Sequence, residues 1–452
     1  MAKLLFIFIF VPFLILGQVK ERYNYIQKPD LKSVTIAWRT AVPGISFVKW
    51  GTDSLNLIDS IVSLNSTRKH VFEIKGLKAN SKYYYQTKTE NVFLSEIEYF
   101  YTAKQNSRNH FSFLHYGDCG YNNTIQRDIA RLMEAETTDF AIVAGDVDQN
   151  KGNNYDEIYF GVYKDLLKNS CHYTCIGNHD TYADDAATYL DEFYLPSNNP
   201  QNSERYYSYI WGNAKFICLD SNIPYTEGTD QYNWLVGELK CNDKQWLFPF
   251  FHPPPWTNAW SPDYNIPFLE YFRYKGNVDM RTSLVPLFEK YKVDFVLNGH
   301  SHCYQRGELN GVKYIISGGA GASRLDKKRH SKSPNIDTEI YKNQYVRFDV
   351  KGDTVIYNAI DIEGKVIDVV KTVKVATAET PHITQLGNEL KCNLNGKHQW
   401  FLDGIAIENG NDIKYNTNQE GKYEVQVINE IGCTLNSEPL EITFRKSTLK
   451  NN

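Results

Sequence analysis

At 452 residues the chain exceeds the roughly 250 to 300 residues at which one hydrophobic core stops growing, so two or three domains are expected. A composition of 42% hydrophobic and 23% charged residues excludes a wholly disordered chain and carries no mark of coiled coil or collagen. A formal net charge of −4 excludes a field that would gather nucleic acid or an anionic membrane surface, so a polyanionic substrate needs local positive charge. Bound metal ions are a compact way to supply it.

In chain order, residues 4–16 (LLFIFIFVPFLIL) form an apolar run behind Lys3 and ahead of Gly17-Gln18. This pattern predicts a secretory signal over residues 1–17, too short to span a bilayer comfortably and with no Cys at the cut for lipid attachment. The mature protein is then secreted, periplasmic or extracellular, with no membrane span; an uncleaved N-terminal anchor is the alternative. Over residues 34–103 apolar residues alternate, as in Val34-Thr35-Ile36-Ala37-Trp38 and Tyr83-Tyr84-Tyr85-Gln86-Thr87, with turns at Val42-Pro43-Gly44 and Lys78-Ala79-Asn80. They predict an antiparallel sandwich of about 80 residues within 20–104. The run His70-Val71-Phe72-Glu73-Ile74-Lys75-Gly76-Leu77 followed by Tyr83-Tyr84-Tyr85 resembles a fibronectin type III module. It carries no chemistry of its own.

Polar Gln105-Asn106-Ser107-Arg108-Asn109 reads as a linker. Beyond it, short apolar runs at 111–116, 139–145, 215–219, 246–251, 293–299 and 312–317 predict buried strands. Ile125, Ile129, Leu132 and Met133, then Leu284, Leu287, Phe288 and Tyr291, have helical spacing. Strands alternating with helices predict an α/β layered domain over 108–375. Residues 372–381 read as a second linker, ahead of an all-β pattern at 380–446. The order Cys392, Trp400, Cys433 with Glu420-Gly421-Lys422-Tyr423 between resembles an immunoglobulin-like sandwich, although Val425 stands where such domains place the second Cys. This module is the one left to meet a surface partner. Of eight cysteines, Cys392 and Cys433 are the pair expected to be bridged; Cys218 reads as a small buried hydrophobe, and pairing among Cys119, Cys171, Cys175, Cys241 and Cys303 stays open.

The chemistry lies where the central strands end. Gly117-Asp118, Gly145-Asp146, Gly177-Asn178-His179-Asp180, His252 and Gly299-His300-Ser301-His302 each follow an apolar run. Carboxyl ends of strands border the ligand crevice of α/β sheets, so these groups should converge. Two carboxylates, an amide and three imidazoles form a mixed N/O donor set for first-row metals. Two ions employ all six, Asp118, Asp146, Asn178, His252, His300 and His302, with one carboxylate bridging, as in two-metal sites for displacement at phosphorus.

The ordered set Gly-Asp-x-Gly (117–120), Gly-Asp-x-x (145–148), Gly-Asn-His-Asp (177–180), His-x-Pro (252–254) and Gly-His-x-His (299–302) resembles the calcineurin-like metallophosphoesterase superfamily. Within it, the preceding fibronectin-like module, Met280-Arg281 and the His-x-His-x-Tyr-x-Arg segment at 300–306 are similar to the purple acid phosphatases. The likeness covers roughly residues 20–375. It implies a layered metallophosphoesterase β-sandwich flanked by helices, between N-terminal and C-terminal all-β modules. It also implies two metal ions (Fe, Zn or Mn) and hydrolysis of a small-molecule phosphate ester, a phosphomonoester first, by attack of metal-activated hydroxide. By that resemblance Asp146 bridges the ions, Asp118 and His302 hold the first, and Asn178, His252 and His300 hold the second. His179 and Asn178 meet the phosphate, and His179 protonates the leaving oxygen. A phosphodiesterase with the same ligands and a non-catalytic secreted binding protein with a relic domain are the alternatives.

The sequence departs from the pattern at one site. Purple acid phosphatases carry a metal-binding Tyr at the end of Gly-Asp-x-x-Tyr, where this chain has Gln149; the wider superfamily has Asp-x-His at the first motif, where this chain has Gly120. Asp148, Gln149, Tyr116, Tyr121 or solvent are the candidates to complete the first site. Asp148 and Asp180 read equally as carboxylates orienting ligand imidazoles or as loop carboxylates. Arg281 and Arg306 read as ties between loops and sheet. The aromatic stretch from Pro253-Pro254-Pro255-Trp256 to Tyr274 reads as cover for the domain's own core.

Overall fold

Aromatic side chains alternating along short strands must be covered on one face, and three bodies of sheet do so in this chain. The computed structural model describes residues 20–90, 93–105, 110–260, 276–328, 333, 335–374, 381–430 and 432–444. The proposed signal, most of the first linker and most of the aromatic stretch lie outside them. Among the described residues no helix is long and apolar enough to cross a membrane.

The N-terminal body is one six-stranded antiparallel sheet whose long strands Ser33–Gly51 and Asp59–Lys75 pair with each other, with Lys20–Gln27 and Lys82–Thr89 on the first of them. Lys82–Thr89 alternates strictly between half-buried and buried residues, the pattern of a sheet with one covered face. Trp38 stacks on His70 and Phe72 at 4.8 and 5.4 Å. A buried ionic cluster docks this sheet on the next domain. Arg22 pairs with Asp156 and Glu192 at 2.5 Å each, and Arg39 reaches the same two carboxylates at 3.1 and 2.5 Å. Each guanidinium bridges both carboxylates through charge-assisted bonds, closing a ring, and removing one member would leave the largely buried cluster with a net charge.

The central domain is two sheets packed face to face. In one, Phe111–Tyr116, Phe140–Val143 and Cys171–Thr174 run parallel, extended beyond the first by antiparallel Gln344–Lys351, Thr354–Asp361 and Val366–Val373. In the other, Ala214–Cys218, Trp246–Phe250, Phe295–Asn298 and Val312–Ser317 are parallel neighbours, with Tyr207–Trp211, Tyr304–Leu309 and Thr338–Ile340 antiparallel at the sides. The core between them is aromatic. Phe113 stacks on Phe348 and Phe140 at 4.6 and 5.1 Å and meets Phe248 of the facing sheet edge-on at 5.6 Å. Helices close the outer faces: Thr124–Glu134, capped by Asn123, buries Ile129 and Met133, and Asp230–Lys240 with Val285–Lys290 buries Leu235, Leu239 and Phe288. The expected α/β layering is therefore a β-sandwich between helices. Thr372 and Val373, read as linker, finish the last strand of the first sheet.

The C-terminal body has a three-stranded and a five-stranded sheet around Trp400, Tyr423, Val425 and Cys392. The expected Cys392–Cys433 bridge is not formed: Cys433 is bonded to Cys241, with Cα atoms 5.2 Å apart and 192 residues between them. Cys392 ends the strand Glu389–Cys392 and points into the module's core, whereas Cys433 follows a turn held by Asn429 and faces the residue after helix Asp230–Lys240. The bridge thus staples the C-terminal module to the central domain, where Gln105 also donates to Glu424 at 3.0 Å. Removing native disulfides typically costs about 2 to 5 kcal/mol. Cys433→Ser is expected to leave the central domain folded and to allow limited proteolysis to release a C-terminal fragment that intact protein retains.

Two histidines of the central core make stability acid-sensitive. His115 and His172 are fully enclosed, and burial pushes each imidazole from 6.5 down to about 3. His172 Nδ1 lies 2.9 and 2.8 Å from the Tyr116 and Tyr159 hydroxyls, neutral groups that supply no counter-charge for an imidazolium. In the unfolded chain both titrate near the ordinary value, so as pH falls below about 6.5 the unfolded state takes up protons that the fold refuses. Below about pH 6.5 these two groups are expected to lower stability by about 1.4 kcal/mol per unit for each histidine, down to about pH 3. Urea midpoints of metal-free protein at pH 7, 5.5 and 4 measure this.

Candidate metal centre

Parallel strands deliver their C-terminal residues to one side, and here both sheets do so at one point. Asp118, Asp146 and Asn178 follow Phe111–Tyr116, Phe140–Val143 and Cys171–Thr174 of the first sheet; His252, His300 and His302 follow Trp246–Phe250 and Phe295–Asn298 of the second. Asp118, Asp146 and His300 hold left-handed φ values of 55°, 51° and 67°, a strained backbone that recurs at functional sites. Gly177 is required by the crowding: a Cβ there would sit 2.1 Å from Asp146 Oδ1.

The Asp146 carboxylate lies at the middle of the group. Its Oδ2 is 3.3 Å from His252 Nε2, 3.9 Å from His179 Nε2 and 3.2 Å from Gln149 Nε2, while its Oδ1 accepts the His179 backbone N–H at 2.9 Å. On one side His252 Nε2 lies 3.2 Å from Asn178 Oδ1 and 3.1 Å from His300 Nδ1. On the other side Asp118 Oδ1 lies 3.5 Å from His302 Nε2, and Asp118 Oδ2 accepts the His300 backbone N–H at 2.6 Å. Atoms of Asp146, His252 and His300 all lie within 4.8 Å of one another. Asp118, Asp146 and His252 are buried, while Asn178, His179, His300 and His302 are half-buried, so the centre opens to solvent on the histidine side.

Hydrogen bonds fix which ring nitrogens face inward. His252 Nδ1 bonds the Ala144 carbonyl at 2.7 Å and His302 Nδ1 bonds the Arg324 carbonyl at 3.0 Å, leaving each Nε2 toward a carboxylate. Burial disfavours charge on Asp146, but His252, then His179 and His300, outweigh it and hold the carboxyl well below its usual range. Burial likewise opposes protonation of His252 and His302, and is overcome by Asp146 and Asp118, which push them up to about 10 and 9. His300 goes the other way, to about 3, through burial and the neighbouring His252. The carboxylates demand positive charge here, and a cation that takes the imidazole nitrogens supplies it and releases their protons. The mixed carboxylate, amide and imidazole donors fit first-row divalent metals.

The stretch of chain that carries these residues is similar to known proteins. The calcineurin-like phosphoesterase family model matches residues 111–304. Purple acid phosphatase 13 of Arabidopsis thaliana is 33% identical over 163 residues, 33% of this chain and 28% of that protein. Purple acid phosphatase 15 of the same plant is 25% identical over 319 residues, 61% and 58% of the two chains. The chain thus spans less than two thirds of either relative. The structure of a purple acid phosphatase from yellow lupin (Lupinus luteus) seeds superposes with a TM-score of 0.65 at 16% identity, covering 82% of this chain and 79% of that one, which shows a common fold. Residues 111–304 are a calcineurin-like phosphoesterase domain.

Within the phosphoesterase domain the remaining candidates separate clearly. Asp180 is buried beneath Asp146 and accepts from the backbone N–H groups of Val147, Asp148 and Gly177 and from the Tyr155 hydroxyl, at 2.9 to 3.2 Å. Asp148 accepts from the N–H groups of Asn150, Asn153 and Asn154. Neither is bonded to a ligand imidazole: Asp180 braces the loops that carry Asp146 and Asn178, and Asp148 holds the turn at 150–154 that follows. Arg306 is tied to Asp368 at 2.6 Å, which also accepts from Tyr304. Trp256 packs edge-on against Tyr314 at 5.1 Å and so covers core. The Cys119 and Cys303 thiols are buried and pushed well up, hence unreactive. Tyr116 turns away to His172, while the Tyr121 ring lies 6.2 Å from that of His302. Position 120 is closed to a side chain because its Cβ would lie 2.1 Å from the Val147 carbonyl oxygen. The sequence did not point to Tyr182, whose hydroxyl accepts from Asn178 Nδ2 at 3.0 Å and whose ring lies 4.7 Å from that of His179.

Proposed function

We propose that this protein hydrolyses small-molecule phosphate esters, phosphomonoesters before diesters, as an exported acid-phosphatase-like enzyme with two metal ions. Asp118 and His302 would hold the first ion, Asn178, His252 and His300 the second, and Asp146 would serve both. The observation that carries this reading is the position of Asp146 Oδ2, 3.3 Å from His252 of one donor group and linked to Asp118 of the other through the Gln149 carboxamide, which donates to both carboxylates at 3.2 and 3.4 Å. Bound there, two cations would lower the pKa of solvent and neutralise phosphoryl oxygens. The chain's own part is positioning. Asp146 fixes the His179 main chain, and the His179 ring stands half-buried at the open side with Nε2 toward the centre, placed to meet the phosphate and hand a proton to the leaving oxygen. Asn178, held between His252 and Tyr182, meets the same phosphate.

The test is turnover of an aryl phosphomonoester and its bis-aryl diester by protein reconstituted with zinc, manganese or iron. The expected result is faster monoester turnover, lost on metal removal. Preference for the diester would make the protein a phosphodiesterase. Metal retention with neither ester cleaved would make it a binding protein.

A further inference from the structure

Position 149 does more than lack a phenol. Gln149 is only 8% exposed, and its Nε2 donates to Asp118 Oδ1 at 3.4 Å and to Asp146 Oδ2 at 3.2 Å, so the carboxamide lies between the two carboxylates assigned to the first ion. His302 Nε2 approaches the same Asp118 oxygen at 3.5 Å. We propose that Gln149 is a ligand of the first ion through its amide oxygen, and that this neutral donor makes the site one for a divalent rather than a trivalent cation. The inference rests on the dinuclear reading above and deepens it.

Three observations carry it. A carboxamide turns about its terminal bond at little cost, since that torsion is broad and two-fold, so an end that offers NH₂ to carboxylates offers oxygen at the same reach to a cation between them. The resulting donors, two carboxylate oxygens, one amide oxygen and one imidazole, are the oxygen-rich set that suits Mn²⁺ and similar ions. Further anionic donors nearby are committed elsewhere. Asp148 and Asp180 each accept three backbone N–H groups, Tyr116 is bonded to His172, and Cys119 is fully buried. With Asp118 and only a share of Asp146 as its anionic ligands, the first site compensates at most two positive charges and leaves a third uncompensated.

The experiment titrates metal-free full-length protein with Mn²⁺, reading stoichiometry by elemental analysis after dialysis and coupling by electron paramagnetic resonance. Wild type is expected to bind two ions per chain with a coupled spectrum. Gln149→Ala is expected to lose affinity for one ion by at least about tenfold, the lower bound for groups merely adjacent to a ligand shell, and to show an isolated six-line signal. Gln149→Glu, which keeps an oxygen and adds charge, is expected to hold two ions and to take ferric iron where wild type prefers Mn²⁺. Unchanged binding by Gln149→Ala, or wild type choosing ferric iron over Mn²⁺ in the first site, overturns the assignment alone. Fewer than two ions on wild type overturns it together with the dinuclear reading. Should Gln149→Ala not fold, loss of the first ion by Gln149→Glu is the overturning result.

Discussion

Asp146→Asn is expected to lower phosphate-ester turnover by more than about 100-fold, beyond the effect of losing a partner outside a ligand shell, and to bring bound metal below one ion per chain. The substitution preserves shape and changes charge at the atom that lies within 3.9 Å of His252, Gln149 and His179. It has a second signature independent of activity. Asp146 is what lifts His252 against its burial to about 10, so in the metal-free variant that imidazole should lose its proton near or below its ordinary value. Nuclear magnetic resonance titration of the His252 ring measures this, and an unshifted His252 would mean that the carboxylate is not where the electrostatics place it.

Asp180→Ala is expected to cost about 4 kcal/mol or more of stability, although the residue touches no substrate in the proposed reaction. Four donors lose their acceptor at once: three backbone N–H groups and the Tyr155 hydroxyl. A buried donor left unsatisfied costs about 1 to 3 kcal/mol, and water entering the space recovers part of it. Because the freed loops carry Asp146 and Asn178, metal affinity should fall as well. Urea unfolding and Mn²⁺ titration read the two effects, and a stability loss under about 1 kcal/mol would contradict the bracing role.

Much of this was legible in the sequence, for a physical reason. Apolar runs such as 111–116 and 312–317 are buried on both faces, so they stand out without alternation, and the structure makes both of them strands to the residue. Polar groups just past such runs have to emerge at a strand end, and the structure brings Asp118, Asp146, Asn178, His252, His300 and His302 into one group, its two halves joined by the His300 backbone N–H to Asp118. What was not legible depends on contacts distant in sequence. The partner of Cys433 is set by how the C-terminal module docks on the helix before Cys241. Asp148 and Asp180 took their roles from the path of nearby backbone, which residue type does not encode. Gln149 read as a gap in a motif because its reach to two carboxylates exists only after both loops have folded.

The central claim is that two cations share the Asp146 carboxylate. Crystals soaked in Mn²⁺ or Zn²⁺ and measured on either side of the metal absorption edge test it most directly. Two anomalous peaks are predicted, one beside Asp118 and His302 and one beside Asn178, His252 and His300, each touching Asp146. A single peak on one flank, or none within reach of Asp146, would contradict the account.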